Sequence, residues 1–247
     1  MFNKITSLKN EKILELTKLH DKKNIKDIAL VESEKIVLEM LENNRVRALY
    51  IEDRFVGLAE KYGVPTYIIT KDISKKISGV VTPSGIFATV SIEKVYHDGN
   101  YLVLENLQDP TNMGALFRSA LASGYKKVIL IDSVCPYLPK VTRGSMGYNF
   151  KLDITEFKID DFVRYAKSNN LYLICGDLKG EDVFSFRPRS MPYGIVIGNE
   201  GNGISSTMQN LCTDVVTIPM QNQVESLNAS VSGSILMYVL NQKIKGE

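Results

Sequence analysis

Three short segments bring together residue types that chemistry uses. In the first, Asp109-Pro-Thr-Asn112-Met-Gly114-Ala-Leu-Phe-Arg118, a loop runs into a helix. Gly114 and Arg118 lie four apart and stack on one helix face, so a ligand can approach the guanidinium across a residue with no side chain. Asn112 falls at the carboxyl edge of the preceding strand, where α/β sheets hold ligands. Thr111 or Asn112 is the expected N-cap, and Gly124 the expected end of the helix. Taken alone, the segment fits an ordinary strand–loop–helix with an exposed arginine equally well.

The second segment, Gly198-Asn-Glu200-Gly201-Asn-Gly203, follows an apolar strand and precedes a helix start at Ser205. Its GxxGxG spacing is neither the dinucleotide fingerprint GxGxxG nor a phosphate loop, which disfavours a phosphate cradle. Such a loop can lay bare backbone N–H and C=O groups against an adenine or a ribose, and it presents one carboxylate, Glu200. The third segment runs Ile218-Pro-Met220, a short loop, then Glu225-Ser226-Leu227-Asn228. Pro219 ends the strand, Ser226 is the expected N-cap, and Asn228 falls beside the positive end of the helix. That helix carries Ala229, Ser232, Gly233 and Ser234, small residues that suit either a tight core contact or a dimer interface.

Other chemistries lose support. His20 and His97 sit in polar surroundings far from these loops. No GxSxG elbow, HExxH or paired acidic motif is present. Cys135, Cys175 and Cys212 are widely spaced with no Cys/His cluster, so neither a structural metal nor a disulfide framework is expected, and a reducing cytoplasm is. The apolar runs are far shorter than the roughly 20 residues of a membrane span, and Met1–Lys12 has no apolar core of a secretory signal.

The elements that must position the three segments follow from the pattern. At 247 residues, 44% hydrophobic and 23% charged, the chain is an ordinary globular protein of one or two domains. Helical and strand patterns alternate, as in α/β folds with largely parallel sheets. The first part predicts helices near Glu11–His20, Glu34–Leu41, Arg54–Tyr62 and Ile73–Ile77. Its strands are expected near Ile28–Val31, Ala48–Ile51, Thr66–Ile69 and Ile86–Val90. After the polar stretch 93–100 come strands Tyr101–Leu104, Lys127–Ile131, Leu171–Cys175, Gly194–Ile197 and Val215–Ile218. Two helices, Met113–Ser123 and Ser226–Leu240, belong to this second series. The boundary is placed near residue 96.

The order and spacing of the three segments resemble the signature motifs of the SpoU (TrmH) family, S-adenosylmethionine-dependent RNA 2′-O-ribose methyltransferases of the SPOUT superfamily. The resemblance covers nearly the whole chain. Pro139-Lys-Val-Thr-Arg143-Gly-Ser-Met-Gly147 resembles the family's helix between the first two motifs. It implies a SPOUT-type α/β trefoil-knot catalytic domain over residues 97–247. A small α/β, ribosomal-protein-like RNA-binding domain over residues 1–96 would precede it. It further implies a homodimer, and the motifs and run lengths above already point to no metal and no membrane attachment. The cofactor, S-adenosylmethionine, would be held by Gly198, Gly201, Ile218, Met220 and Leu227.

By the same resemblance the catalytic set is Arg118, Asn112, Glu200, Ser226 and Asn228. Asn112 would position the ribose or Arg118, and Glu200 would orient Asn112 or its own loop. Arg118 is the family's proton acceptor, but a guanidinium stays charged. Holding a phosphate and stabilising the developing alkoxide therefore suits it better. Arg143, Lys22 and Lys23 are the candidate RNA contacts. Two departures, the apolar stretch Val134–Pro139 and Asn149, bear on substrate contacts rather than on the reaction.

Ribosomal RNA of the 23S type is the leading substrate, because a separate N-terminal domain suits a large structured RNA. Transfer RNA, a non-catalytic RNA-binding assembly factor, and, distantly, a dinucleotide oxidoreductase are the alternatives. Charge adds little: the net charge is +2 and the pI about 8.3. Residues 1–26 carry seven lysines against Glu11, Glu15 and Asp21. That excess reads first as a solvated helix face and second as a weak sign of a phosphate-rich partner.

Overall fold

Runs of β-branched and aliphatic residues form the central strands, and helices with one apolar stripe cover them. The computed structural model describes residues 2–221 and 224–242. The chain forms two compact units. The first comprises Met1–Glu93 together with Cys135–Phe150, and the second comprises Lys94–Val134 and Lys151–Glu247.

In the first unit, strands β1 (Asn3–Ile5), β2 (Ile28–Glu32), β3 (Val46–Ile51), β4 (Thr66–Ile69) and β5 (Ile86–Ser91) form a sheet of order β1-β4-β3-β5-β2. β1, β4 and β3 run parallel, while β5 is antiparallel to both β3 and β2. Helices α1 (Glu11–Lys18), α2 (Glu34–Glu42), α3 (Val56–Tyr62) and α4 (Lys71–Ile77) cover it. One core joins Val31, Ile36, Val37 and Ile51, and a second joins Ile13, Leu16, Leu30 and Ile73.

Cys135–Phe150 packs with this unit through buried Phe150 and partly buried Tyr137, whose rings lie 5.5 Å apart. Its helix α6 spans Pro139–Gly144. The apolar character of Val134–Pro139 thus has a packing cause. Asn149, read from sequence as bearing on substrate contacts, is fully buried instead. It accepts from Ser145 Oγ (2.9 Å) and donates to Thr142 Oγ1 and Pro136 O (both 3.1 Å), so its role is to hold this segment.

The second unit is a six-stranded parallel sheet of order β11-β9-β10-β6-β7-β8. Its strands are β6 (Tyr101–Glu105), β7 (Lys127–Ile131), β8 (Asp153–Phe157), β9 (Leu173–Asp182), β10 (Gly194–Ile197) and β11 (Asp214–Thr217). The helices are α5 (Pro110–Ser123), α7 (Ile159–Ser168), α8 (Ser206–Gln209) and α9 (Ala229–Gln242). β6 and β10 are buried throughout, as near-continuous apolar runs in a covered parallel sheet must be. From β6 the chain adds β7 and β8 on one side, then crosses to β9, β10 and β11 on the other. The carboxyl ends of β6 and β10 therefore flank a topological switch point, the usual ligand crevice of open α/β sheets.

β1, β8 and α7 were not predicted. β1 is three residues long and β8 is a half-exposed edge strand, too polar for an apolar-run criterion. α7 does carry a legible stripe, Phe162 and Ala166 four apart and both buried. Cys175 and Cys212, isolated in sequence, are hydrogen-bonded across β9 and the end of α8, which holds the Cys175 thiol below its ordinary pKa.

Candidate active site

The site is built at the carboxyl ends of the central strands of the second unit. α5 begins one turn after β6, and its N-cap is Asp109, whose side chain accepts from Thr111 N at 2.8 Å. Thr111 and Asn112, the expected caps, are inside the helix. Pro110 explains the shift, because proline fits the first helical position, where no N–H is needed. Asn112 is thereby freed from capping. It is 7% exposed and reaches two other motifs. Its Nδ2 donates to Glu200 Oε1 at 3.1 Å, and its Oδ1 accepts from Asn228 Nδ2 at 3.0 Å.

Glu200 also accepts from Asp109 N at 3.2 Å. Burial works against its ionisation. The N–H groups of Glu200 itself, Asp109 and Gln108 and the Asn112 amide outweigh that and hold the carboxyl below the usual carboxylate range. Four glycine-loop bonds shape the rest. Asn199 and Gly203 exchange N–H···O bonds of 2.9 Å each way, and Asn199 Oδ1 accepts from Gly201 N (2.9 Å) and Asn202 N (3.0 Å). A Cβ on Gly198 would stand 2.2 Å from Gly203 O, so the loop closes this tightly only over a glycine. Asn199 also donates to Asn106 O at 2.9 Å, tying the loop to the end of β6. Ser205 caps α8, accepting from Met208 N at 3.2 Å, as the sequence implied.

The third segment follows β11. Asn228, not Ser226, caps α9: its Oδ1 accepts from Ser230 N at 2.8 Å. The helix starts at Ala229, two residues later than a Ser226 cap implies, because Asn228 caps it from the position next to Asn112. The small residues of α9 are used inside the unit. A Cβ on Gly233 would meet Leu116 Cδ2 at 2.5 Å, and Ser234 Oγ donates to Ser119 Oγ at 2.7 Å. The tight-contact reading of that face holds at Gly233 and Ser234.

These loops enclose a cavity of about 380 Å³. Every residue expected to hold the cofactor lines it: Gly198, Gly201, Ile218, Met220 and Leu227. Glu200 and Ser226 line it too, as do Gly176, Asp177 and Leu178 after the buried part of β9, which sequence reasoning missed. Their signal was present in principle, since a glycine after an apolar strand marks a carboxyl edge. Only the sheet order shows that β9 neighbours β10. Asn199, which spacing alone does not single out, organises the loop through its side chain.

Arg118 is exposed on α5 and makes no hydrogen bond or ion pair among the described residues. Arg143, Lys22 and Lys23 belong to the first unit. Arg143 Nη1 pairs with Glu32 Oε1 at 3.1 Å, and Glu32, 4% exposed, also accepts from Ser78 Oγ at 2.8 Å. Lys22 and Lys23 are exposed on a single 3-10 turn, Lys22–Asn24, capped by Asp21. Among the described residues no group of His, Cys, Asp and Glu side chains is placed to hold a metal, and no helix is long and apolar enough to cross a membrane.

Comparison with known proteins agrees with this geometry. The model of the SpoU rRNA Methylase family matches residues 99–238. The 23S rRNA (guanosine(2553)-2′-O)-methyltransferase RlmP of Bacillus subtilis (strain 168) is 27% identical over 243 residues, covering 96% of this chain and 98% of that protein. A solved RNA 2′-O ribose methyltransferase superposes with a TM-score of 0.82 at 25% identity, covering 98% of this chain and 99% of that one. The SpoU methyltransferase AviRb of Streptomyces viridochromogenes, solved with AdoMet, shares the fold: TM-score 0.82, 22% identity, coverage 96% and 99%. With its three motifs joined around one pocket and more than half its length matched, the chain belongs to the SpoU rRNA methylase family.

Proposed function

We propose that this protein transfers a methyl group from S-adenosylmethionine to a ribose 2′-hydroxyl of ribosomal RNA. The observation that carries the reading is the link Asn228–Asn112–Glu200, which ties one residue of each motif together beside a glycine-walled cavity.

The cavity suits the cofactor chemically. Ile197, Leu178, Ile218 and Leu227 offer apolar surface for a purine, Thr217 and Ser232 offer hydroxyls, and the Gly198–Gly203 loop offers backbone groups. Gly198, Gly201, Ile218, Met220 and Leu227 would hold it. When bound, S-adenosylmethionine supplies a strongly electrophilic sulfonium methyl. The protein then has to align a weak nucleophile and ease loss of its proton. Alignment alone is worth up to about 7–11 kcal/mol in favourable cases. Asn112, fixed at both ends of its amide, positions the ribose. Glu200, kept ionised by its donors, fixes Asn112, and Asn228 holds it from the other side. Ser226 closes the pocket wall. Arg118 stays cationic, binds the adjoining phosphate and stabilises the developing alkoxide.

The first unit serves as the RNA-binding module, with Lys22, Lys23 and Arg143 among its contacts. The protein works as a cytoplasmic homodimer without metal, its C-terminal segment threaded as a trefoil knot. The full-length similarity to a 23S rRNA enzyme supports ribosomal over transfer RNA.

Incubation with labelled S-adenosylmethionine and each purified RNA tests the substrate. Label in ribosomal RNA that maps to a 2′-O-methyl is expected, and label in transfer RNA alone ends the ribosomal reading. Calorimetry showing no cofactor binding ends the enzymatic one.

A further inference from the structure

Within the first unit a second cavity, of about 260 Å³, belongs to none of the three motifs. It is lined by Glu52 and Arg54 beyond β3, by Lys71, Ser74 and Lys75 of α4, and by Pro83. Three cations face one carboxylate there. Arg54 accounts for that carboxylate, with its Nε 3.5 Å from Glu52 Oε2, and it is further held by donating to Ser84 O and by lying 4.8 Å over the Phe55 ring. Lys71 and Lys75 are exposed and have no ion pair among the described residues. Four apart on α4, they project from one face, an arrangement that weakens a helix through like-charge repulsion.

Ser74 is the second, independent sign. It is 1% exposed, and its Oγ has no hydrogen-bond partner. Buried hydroxyls are nearly always satisfied, and each exception calls for a cause. Ser74 lines the cavity together with Lys71 and Lys75, and an unpartnered hydroxyl beside two ammonium groups with no ion pair is a donor set for a phosphate oxygen. The excess of two positive charges rules out a cation and matches an anion. Gly85 keeps the wall open. With φ at +78°, a Cβ there would meet Glu52 Cδ at 2.6 Å and Arg54 Nη2 at 2.8 Å, displacing both.

We propose that Lys71, Lys75 and the Ser74 hydroxyl form a phosphate-binding site. Resting on the reading of this protein as an RNA enzyme, its ligand is a phosphate of the RNA substrate, terminal or internal to the chain. The site engages RNA away from the methyl-transfer pocket.

Nuclear magnetic resonance on the full-length protein tests it, with inorganic phosphate titrated at constant ionic strength against chloride. The Ser74 and Lys75 amides are expected to shift saturably, Ser74→Ala to weaken binding several-fold, and the Lys71→Gln/Lys75→Gln pair to abolish it. RNA binding distinguishes the sources, using one oligoribonucleotide with a 5′-phosphate or a 5′-hydroxyl. Tighter binding of the phosphorylated form, lost in the double variant, assigns the terminal phosphate. Equal binding of both forms, with a salt slope lowered by about two in the double variant, assigns the backbone. Shifts spread evenly over surface lysines, a Ser74 amide that does not respond, or unchanged RNA affinity and salt slope in the double variant overturn the proposal. S-adenosylmethionine affinity of the same variants is expected to stay at wild-type level. Its absence in the wild-type protein would overturn the methyl-transfer reading and leave the phosphate titration standing.

Discussion

At the scale of residues, the site depends on one amide and one carboxylate. Asn112 is satisfied at both ends, by Glu200 and by Asn228, and so has a single orientation. Replacing Glu200 by Gln removes a charged acceptor worth about 1.5–3 kcal/mol. The expected result is a fall in kcat/KM of roughly 10- to 100-fold, together with a lowered thermal midpoint. The pH dependence follows from the lowered Glu200 pKa. A depressed carboxylate contributes fully above its unfolded value, and that contribution is lost as pH falls toward the folded value. The Glu200 contribution to stability is therefore expected to be lost as pH falls from the ordinary carboxylate value through the lowered one, and Glu200→Gln should remove that part of the acid dependence of the thermal midpoint. Arg118 gives a separate test under conditions where chemistry limits turnover. An electrostatic role predicts that Arg118→Lys keeps part of the activity across neutral pH. Activity recovered only at high pH would instead favour proton abstraction.

At the scale of elements, two local devices fix where these residues stand. Asp109 and Pro110 start α5 early enough that Asn112 rides on its first turn and Arg118 on its third. Asp109→Ala should cost about 1 kcal/mol as a lost N-cap, read as a lowered Tm. It should also weaken activity more than stability, because the Asp109 N–H that reaches Glu200 lies in the same turn. The glycine loop has no such slack. A methyl group on Gly198 would press on the Gly203 carbonyl at 2.2 Å, backbone against backbone. Gly198→Ala is expected to abolish measurable cofactor binding while leaving far-ultraviolet circular dichroism unchanged. A variant that still binds would show that the loop can reopen without consequence.

At the scale of the whole molecule, the chain does not divide at one point. Cys135–Phe150 returns to the first unit, where Phe150 shares a core with Val31, Ile36 and Ile51. A truncation that removes residues 1–93 would leave Tyr137 and Phe150 without those partners. The truncated protein is expected to bind a hydrophobic dye and to lose a sharp thermal transition, whereas a clean unfolding transition would show that the second unit stands alone. The near-neutral total charge is equally uninformative about partners. RNA recognition by shape and by few phosphates needs no large excess of basic residues.

The chemistry was largely legible in the sequence, and its assembly was not. Spacing alone marked Asn112, Glu200 and Asn228, the GxxGxG loop and the apolar strands on either side, because periodicity and glycine placement are local properties. The resemblance then supplied an order for the three motifs. Pairing of parallel strands is not local, since register and neighbours are set by crossovers of many residues. Only the tertiary structure placed β9 beside β10 and so brought Asp177 and Leu178 to the pocket. It alone moved the helix caps to Asp109 and Asn228, since a cap is decided by which side chain the rest of the site leaves free. It also buried Asn149 and left Ser74 without a partner, outcomes that depend on what surrounds a polar group in space rather than in sequence.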